Sequence, residues 1–259
     1  MSPPVAILSP HFDDAVLSCW DVLSGPGDVL VVNVFAGLPS PGASPGWWDA
    51  MCGLHDSHAV VQERLAEDRA ALALAGREPV NLDFLDHQYR DGGQPTEPIV
   101  SALRGVLPAH AVVLAPGSLA CEPLHPTLPE PHPDHLAVRS AALELARRGF
   151  EFGLCADLPH ANARGWPRWV LDGARRDRSA AAEADHPAEM WRAALASSGL
   201  IADQLAPEVH RLTAPAFARK LEAIRRYASQ LPMLEEGFGR LDDPELLGYE
   251  VTWRAPAAA

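Results

Sequence analysis

Apolar and polar positions along the first half of the chain follow the rhythm of alternating strands and helices. Val5-Ala-Ile-Leu8 is a short apolar run closed by Ser9-Pro10, the pattern of a buried strand. Ala15–Leu23 has helical spacing and stops before Gly25-Pro-Gly27. Val29–Phe35 is rich in β-branched residues and predicts a second parallel strand. His58–Ala75 predicts a long helix with Val61, Leu65, Leu72 and Leu74 facing inward and Gly76 as its C-cap. Val80–Leu85 and Ala111–Leu114 predict further strands, and Ile99–Leu107 and Asp134–Arg148 further helices. The order strand, turn, helix, strand predicts an α/β, Rossmann-like fold: a mostly parallel sheet flanked by helices.

The second half is less regular. Gly153–Asp157 predicts a strand, and Ala188–Ala196, Ala216–Ser229 and Pro244–Leu247 predict helices, whereas Pro159–Asp185 shows no clear pattern. We read residues 1–259 as one domain, with a core over about 1–160 and a C-terminal elaboration over about 161–259. Pro39–Gly53, carrying Trp47 and Trp48, and Ala115–Pro133, carrying His125, read as long loops.

Composition removes several classes of function. A formal net charge of −13 argues against nucleic acid or an anionic membrane surface as partner. The apolar runs are strand length and no basic leader precedes them, so neither a transmembrane helix nor a signal peptide is expected. Cys19, Cys52, Cys121 and Cys155 form no C-x-x-C pair and read as reduced thiols of a cytoplasmic protein. Of the 21 cationic residues only Lys220 is lysine, which fits the codon bias of a GC-rich genome.

Two patterned groups carry candidate chemistry. Ser9-Pro-His-Phe-Asp-Asp14 follows the first strand, and His132-Pro-Asp-His135 opens a helix after the strand at 111–114. Both fall at carboxyl ends of predicted parallel strands, the edge where open α/β sheets bind ligands. Imidazoles and carboxylates from the two groups match the three-ligand set of a catalytic zinc, with a further carboxylate left as general base. The same residues have a plainer reading. Asp13 or Asp14 suits the N-cap of the helix at 15–23, and His132 or His135 suits a helix start.

These motifs, in this order, resemble the LmbE/PIG-L family of zinc-dependent N-acetylglucosaminyl deacetylases. That family's first motif usually reads Ala/Ser-His-Pro-Asp-Asp-Glu, and its His-Pro-Asp-His motif is matched in full at 132–135. Arg64–Gly76 is similar to the family helix that begins with a substrate-binding Arg. Tyr89-Arg-Asp-Gly-Gly93 is similar to its polar substrate loop. Lys220-x-x-x-Ile-x-x-Tyr-Ala-Ser-Gln230 is a fainter echo of a late segment.

The resemblance implies His11, Asp14 and His135 as metal ligands, Asp13 as general base, and His132 as oxyanion stabiliser and acid. It implies Arg64 and Asp91 as substrate contacts, and Asp134 as a residue orienting an imidazole. For Arg64 the plainer reading is a salt bridge to Asp68 at i+4, and for Asp91 a turn residue before Gly92-Gly93. The implied cofactor is one Zn²⁺ per chain, or another divalent metal in its place. The implied partner is a small amide substrate, an N-acetylated amino sugar.

Phe12 and Ala15 stand where the family usually has Pro and Glu, so this is a divergent branch. Hydrolysis of a thiol conjugate or other non-sugar amide at the same metal is the alternative, as is an inactive sugar-binding protein.

Overall fold

A computed structural model describes residues 2–117, 132–161 and 206–254, together with 192, 195 and 196. The loop expected around His125, the segment with Trp166, Trp169 and Trp191, Cys121 and most of Ala188–Ala196 lie outside the described residues.

Seven strands form one sheet in the order β3-β2-β1-β4-β5-β7-β6. The strands are β1 Val5–Ser9, β2 Val29–Asn33, β3 Pro79–Asn81, β4 Val112–Pro116, β5 Glu151–Cys155, β6 Ala206–Arg211 and β7 Tyr249–Arg254. The first five pair in parallel, β1 with both β2 and β4. β7 pairs antiparallel with β5 and with β6. The mostly parallel sheet matches the expectation, while neither β6 nor β7 is among the strands expected from the sequence. β1 and β2 run almost wholly buried, as strands covered on both faces do. Strand order reverses between β1 and β4, which places a crevice at their carboxyl ends.

The helix expected over Ala15–Leu23 is two: α1 Asp14–Ser18 and α2 Trp20–Ser24. The break at Cys19 has a specific cause. The Glu250 carboxylate of β7 accepts from the backbone N–H groups of Trp20 and Asp21, both at 2.9 Å. Asp21 N–H is the natural helical partner of the Leu17 carbonyl, which instead accepts from Lys220 Nζ at 2.7 Å. Lys220 and Glu250 are themselves paired at 2.6 Å and fully buried. An ion pair from the C-terminal part thus takes over helical hydrogen bonds at the break.

Among the described residues the further helices are α3 Trp47–Met51, α4 Ser57–Ala73, α5 Thr96–Val106, α6 Pro133–Arg147, α7 Ala214–Ile224, α8 Leu231–Phe238 and α9 Pro244–Leu247. α4 is capped by Asp56 and closes at Gly76, whose φ of 71° is the left-handed conformation that glycine adopts at low cost. Trp47 and Trp48, read from the sequence as loop residues, open the short α3. Among the described residues no helix is long and apolar enough to cross a membrane. Cys19, Cys52 and Cys155 are free thiols.

Candidate metal centre

The turn after β1 presents its side chains because another residue ties its backbone. Ser9 Oγ donates to the His11 carbonyl at 2.6 Å and accepts from Ala15 N–H at 3.0 Å. Ser9 therefore satisfies the first turn of α1, and the Asp13 side chain makes no capping hydrogen bond. Asp14 Oδ2 accepts from His11 N–H at 2.8 Å, folding the carboxylate back over the turn. The second group is set by α6, where His132 Nδ1 accepts from Asp134 N–H at 3.2 Å at the helix start. The capping role considered for His132 is thus present; neither Asp of the first motif caps by its side chain.

His11, Asp14 and His135 converge. Asp14 Oδ2 lies 3.4 Å from His11 Nδ1 and 3.4 Å from His135 Nε2. That is long for a hydrogen bond. It suits ligands of one tetrahedral cation, since donors about 2.0–2.1 Å from a common centre stand about 3.3–3.4 Å apart. Each imidazole is held from its other nitrogen by a carboxylate: His11 Nε2 by Asp134 at 3.2 Å, and His135 Nδ1 by Asp157 at 2.7 Å. Ring nitrogens of metal-binding histidines are commonly oriented this way.

Two further groupings of potential ligands, His11–His132–Asp134 and Asp86–His87–Asp134, fit a cation less well. Both use Asp134, which already accepts from His87 N–H at 2.9 Å and is clasped by the Arg90 guanidinium.

The electrostatics call for positive charge at the same place. Burial disfavours a charged His11 ring, yet Asp134 and Asp14 outweigh it and hold the pKa well above the ordinary value. Burial likewise opposes the Asp14 carboxylate, but His135 and His11 hold its pKa far below the usual range. Such a donor set accepts a divalent cation in place of ring protons. Asp13, beside it, is pushed up to about 6, first by burial and then by the Asp14 charge. His132 is driven well below its ordinary value by burial and by the neighbouring His11 and His135 rings. A neutral His132 whose Nδ1 accepts a hydrogen bond carries its proton on Nε2.

Asp13, Asp14, His11, His132, His135 and Arg64 line one cavity. Arg64 is buried but does not pair with Asp68. Its Nη2 lies 3.0 Å from Asp49 Oδ1, and Asp49 Oδ2 accepts from Ser57 Oγ at 2.6 Å and from the Tyr89 hydroxyl at 2.7 Å. Asp91 is exposed and lies outside the cavity lining. From the same loop it is Asp86, His87, Gln88 and Tyr89 that face the cavity. Asp91 precedes Gly92, whose φ of 77° makes this a turn.

Phe12, in place of the usual Pro, is buried in the core and also borders the cavity, whose apolar wall adds Phe35, Trp47, Trp48, Leu234 and Phe238. Asp157 escaped sequence reading, although it stands two residues past the end of β5, on the same carboxyl edge as both motifs.

No protein-family model matches the chain. It is 29% identical over 183 residues to a 2'-N-acetylparomamine deacetylase from Niallia circulans, a match covering 59% of this chain and 66% of that relative. Among solved structures it is similar to the A40926 pseudoaglycone deacetylase Dbv21, with 28% identity, TM-score 0.65 and 98% of each chain covered. It is also similar to the deacetylase triple mutant Orf2*T of the teicoplanin biosynthetic pathway, with 26% identity, TM-score 0.67, and 98% and 97% of the two chains covered. These relatives are deacetylases, hydrolytic enzymes acting on amide bonds, and the chain is similar in fold to the two solved ones over nearly its whole length.

Proposed function

We propose that this protein is a zinc-dependent N-deacetylase that removes the acetyl group from an amino sugar carried in an antibiotic precursor. The observation that carries the reading is the spacing of Asp14 at 3.4 Å from both His11 and His135, with a carboxylate behind each imidazole. The substrate class is supported by the relatives named for 2'-N-acetylparomamine and for A40926 pseudoaglycone.

His11, Asp14 and His135 would hold the metal. When bound, zinc supplies Lewis acidity toward the amide carbonyl and lowers the pKa of water toward about 7. Asp13 takes the proton of the attacking water, a role suited to a carboxylate whose pKa lies nearer neutrality than usual. His132 Nε2–H donates to the carbonyl oxygen as it becomes negative, and the departing amine takes up the proton that Asp13 removed from the water, so that both side chains end as they began. Arg64 stays charged and points polar donors into the cavity, where sugar hydroxyls are its natural partners. Trp47 and Trp48, edge to face at 5.6 Å, offer an apolar wall to the rest of the substrate. The free thiols Cys19, Cys52 and Cys155 support a reducing, cytoplasmic setting.

The test is metal stoichiometry together with a substrate panel. About one zinc per chain copurifies, chelation removes it together with activity, and zinc restores both. N-acetyl amino sugars and their glycosides are cleaved, while simple acetamides and thiol conjugates are not. Cleavage of the non-sugar amides alone would overturn the substrate assignment, and full activity in the metal-free chain would overturn the mechanism.

A narrower expectation concerns Asp157. Asp157→Asn leaves His135 in place but weakens its orientation, and zinc affinity falls about 10–100-fold in competition titrations against a chromophoric chelator. An unchanged affinity would remove Asp157 from the site.

A further inference from the structure

Tyr227 follows α7 and is fully buried. Its hydroxyl oxygen lies 2.8 Å from Asp68 Oδ1 and 3.1 Å from the backbone carbonyl oxygen of Phe12. One phenolic proton fills only one of those two links. Asp68 Oδ2 is already served, accepting from Asn33 Nδ2 at 2.7 Å, and the same amide donates to Asn81 Oδ1 at 2.8 Å. With an ionised Asp68, Tyr227 donates to the carboxylate and turns a bare oxygen toward the Phe12 carbonyl, a costly contact in a dry interior. With a proton on Asp68 Oδ1, both links close: Asp68 donates to Tyr227, and Tyr227 donates to Phe12. Burial favours the neutral acid and pushes Asp68 up to about 7.

We propose that Asp68, held as a neutral carboxylic acid, and Tyr227 are positioning residues that fix the Phe12–Asp13 peptide and so the turn presenting His11, Asp13 and Asp14. The chain of bonds runs from β3 and β2 through α4 to the segment after α7, and it ends on the turn. It explains why a tyrosine of the C-terminal part lies in the interior beside the first strand's turn. The catalytic consequence rests on the deacetylase reading; the proton on Asp68 does not.

Tyr227→Phe keeps the ring and deletes the hydroxyl. Zinc affinity of the purified chain is expected to fall about tenfold or more, and kcat to fall with little change in KM. Asp68→Leu is expected to lose as much, whereas Asp68→Asn recovers most of the loss. Its amide N–H donates to Tyr227 while its carbonyl accepts from Asn33, as the neutral acid does. In mildly acidic solution an infrared carbonyl band of a buried carboxylic acid is expected in the wild type and missing in Asp68→Asn.

If Asp68→Leu fails to fold, Tyr227→Phe and the infrared band still decide the matter. Wild-type zinc affinity in Tyr227→Phe, or no band assignable to Asp68, would overturn the proposal even in an active deacetylase. A wild type that cleaves no amide sinks the deacetylase reading, while the band and the zinc titration still report on Asp68 and Tyr227.

Discussion

Asp13→Asn is expected to lower kcat on an N-acetyl amino sugar by about 10²–10⁴-fold while the protein keeps its full metal content. The substitution exchanges one oxygen for a nitrogen of nearly equal size and removes the capacity to take a proton. The three residues that converge on the proposed cation, His11, Asp14 and His135, are untouched. The helix start is untouched too, because Ser9 Oγ, not Asp13, accepts the Ala15 N–H. A cap lost from α1 would show as reduced stability with activity per folded molecule preserved. Turnover and metal content measured on one preparation therefore separate the readings. Retained turnover removes Asp13 as base, and joint loss of metal and turnover makes it a ligand.

Much of this site is legible in the sequence because its parts are local. Ser9–Asp14 is a single turn at the end of β1 and His132–His135 the first turn of α6, and strand ends and helix starts are readable from local patterns. The sheet edge then does the rest, since parallel order alone carries the two turns to one crevice. What escaped reading depends on partners distant in the chain. Arg64 suggested Asp68 by helical spacing, but that spacing only says which side chains share a face. Asp68 turns to Tyr227 and Asn33, and Arg64 to Asp49. Asp157 bears on His135 from 22 residues away with no motif around it.

The break in the first helix was hidden for the same reason. Nothing between Ala15 and Leu23 interrupts helical periodicity, because the groups that break it come from β7 and α7. Asp91 stands in a clear local turn pattern, whereas from the same loop it is Asp86 to Tyr89 that line the cavity.

Lys220→Met is expected to destabilise the fold by about 3–5 kcal/mol, the effect of removing one partner from a buried ion pair. Lys220 Nζ makes three hydrogen bonds in the interior, to the carbonyls of Leu17 and Leu247 and to Glu250 Oε1. Burial lowers the Lys220 pKa, and the Glu250 carboxylate opposes that shift. Methionine fills the volume but leaves Glu250 as an uncompensated buried charge and two carbonyls without a donor. At about 2–4 °C per kcal/mol the melting temperature drops on the order of 10 °C.

An exposed pair serves as the control: Arg226 and Glu222, at 3.3 Å and half exposed, should hardly affect melting when Arg226 becomes Ala. Because Glu250 holds the start of α2 and Lys220 the end of α1, the loss should spread to the turn that carries Asp13 and Asp14. Zinc should therefore raise the melting temperature of Lys220→Met less than that of the wild type at equal concentration. Equal melting of the two proteins would show that the pair contributes nothing net, as some buried pairs do.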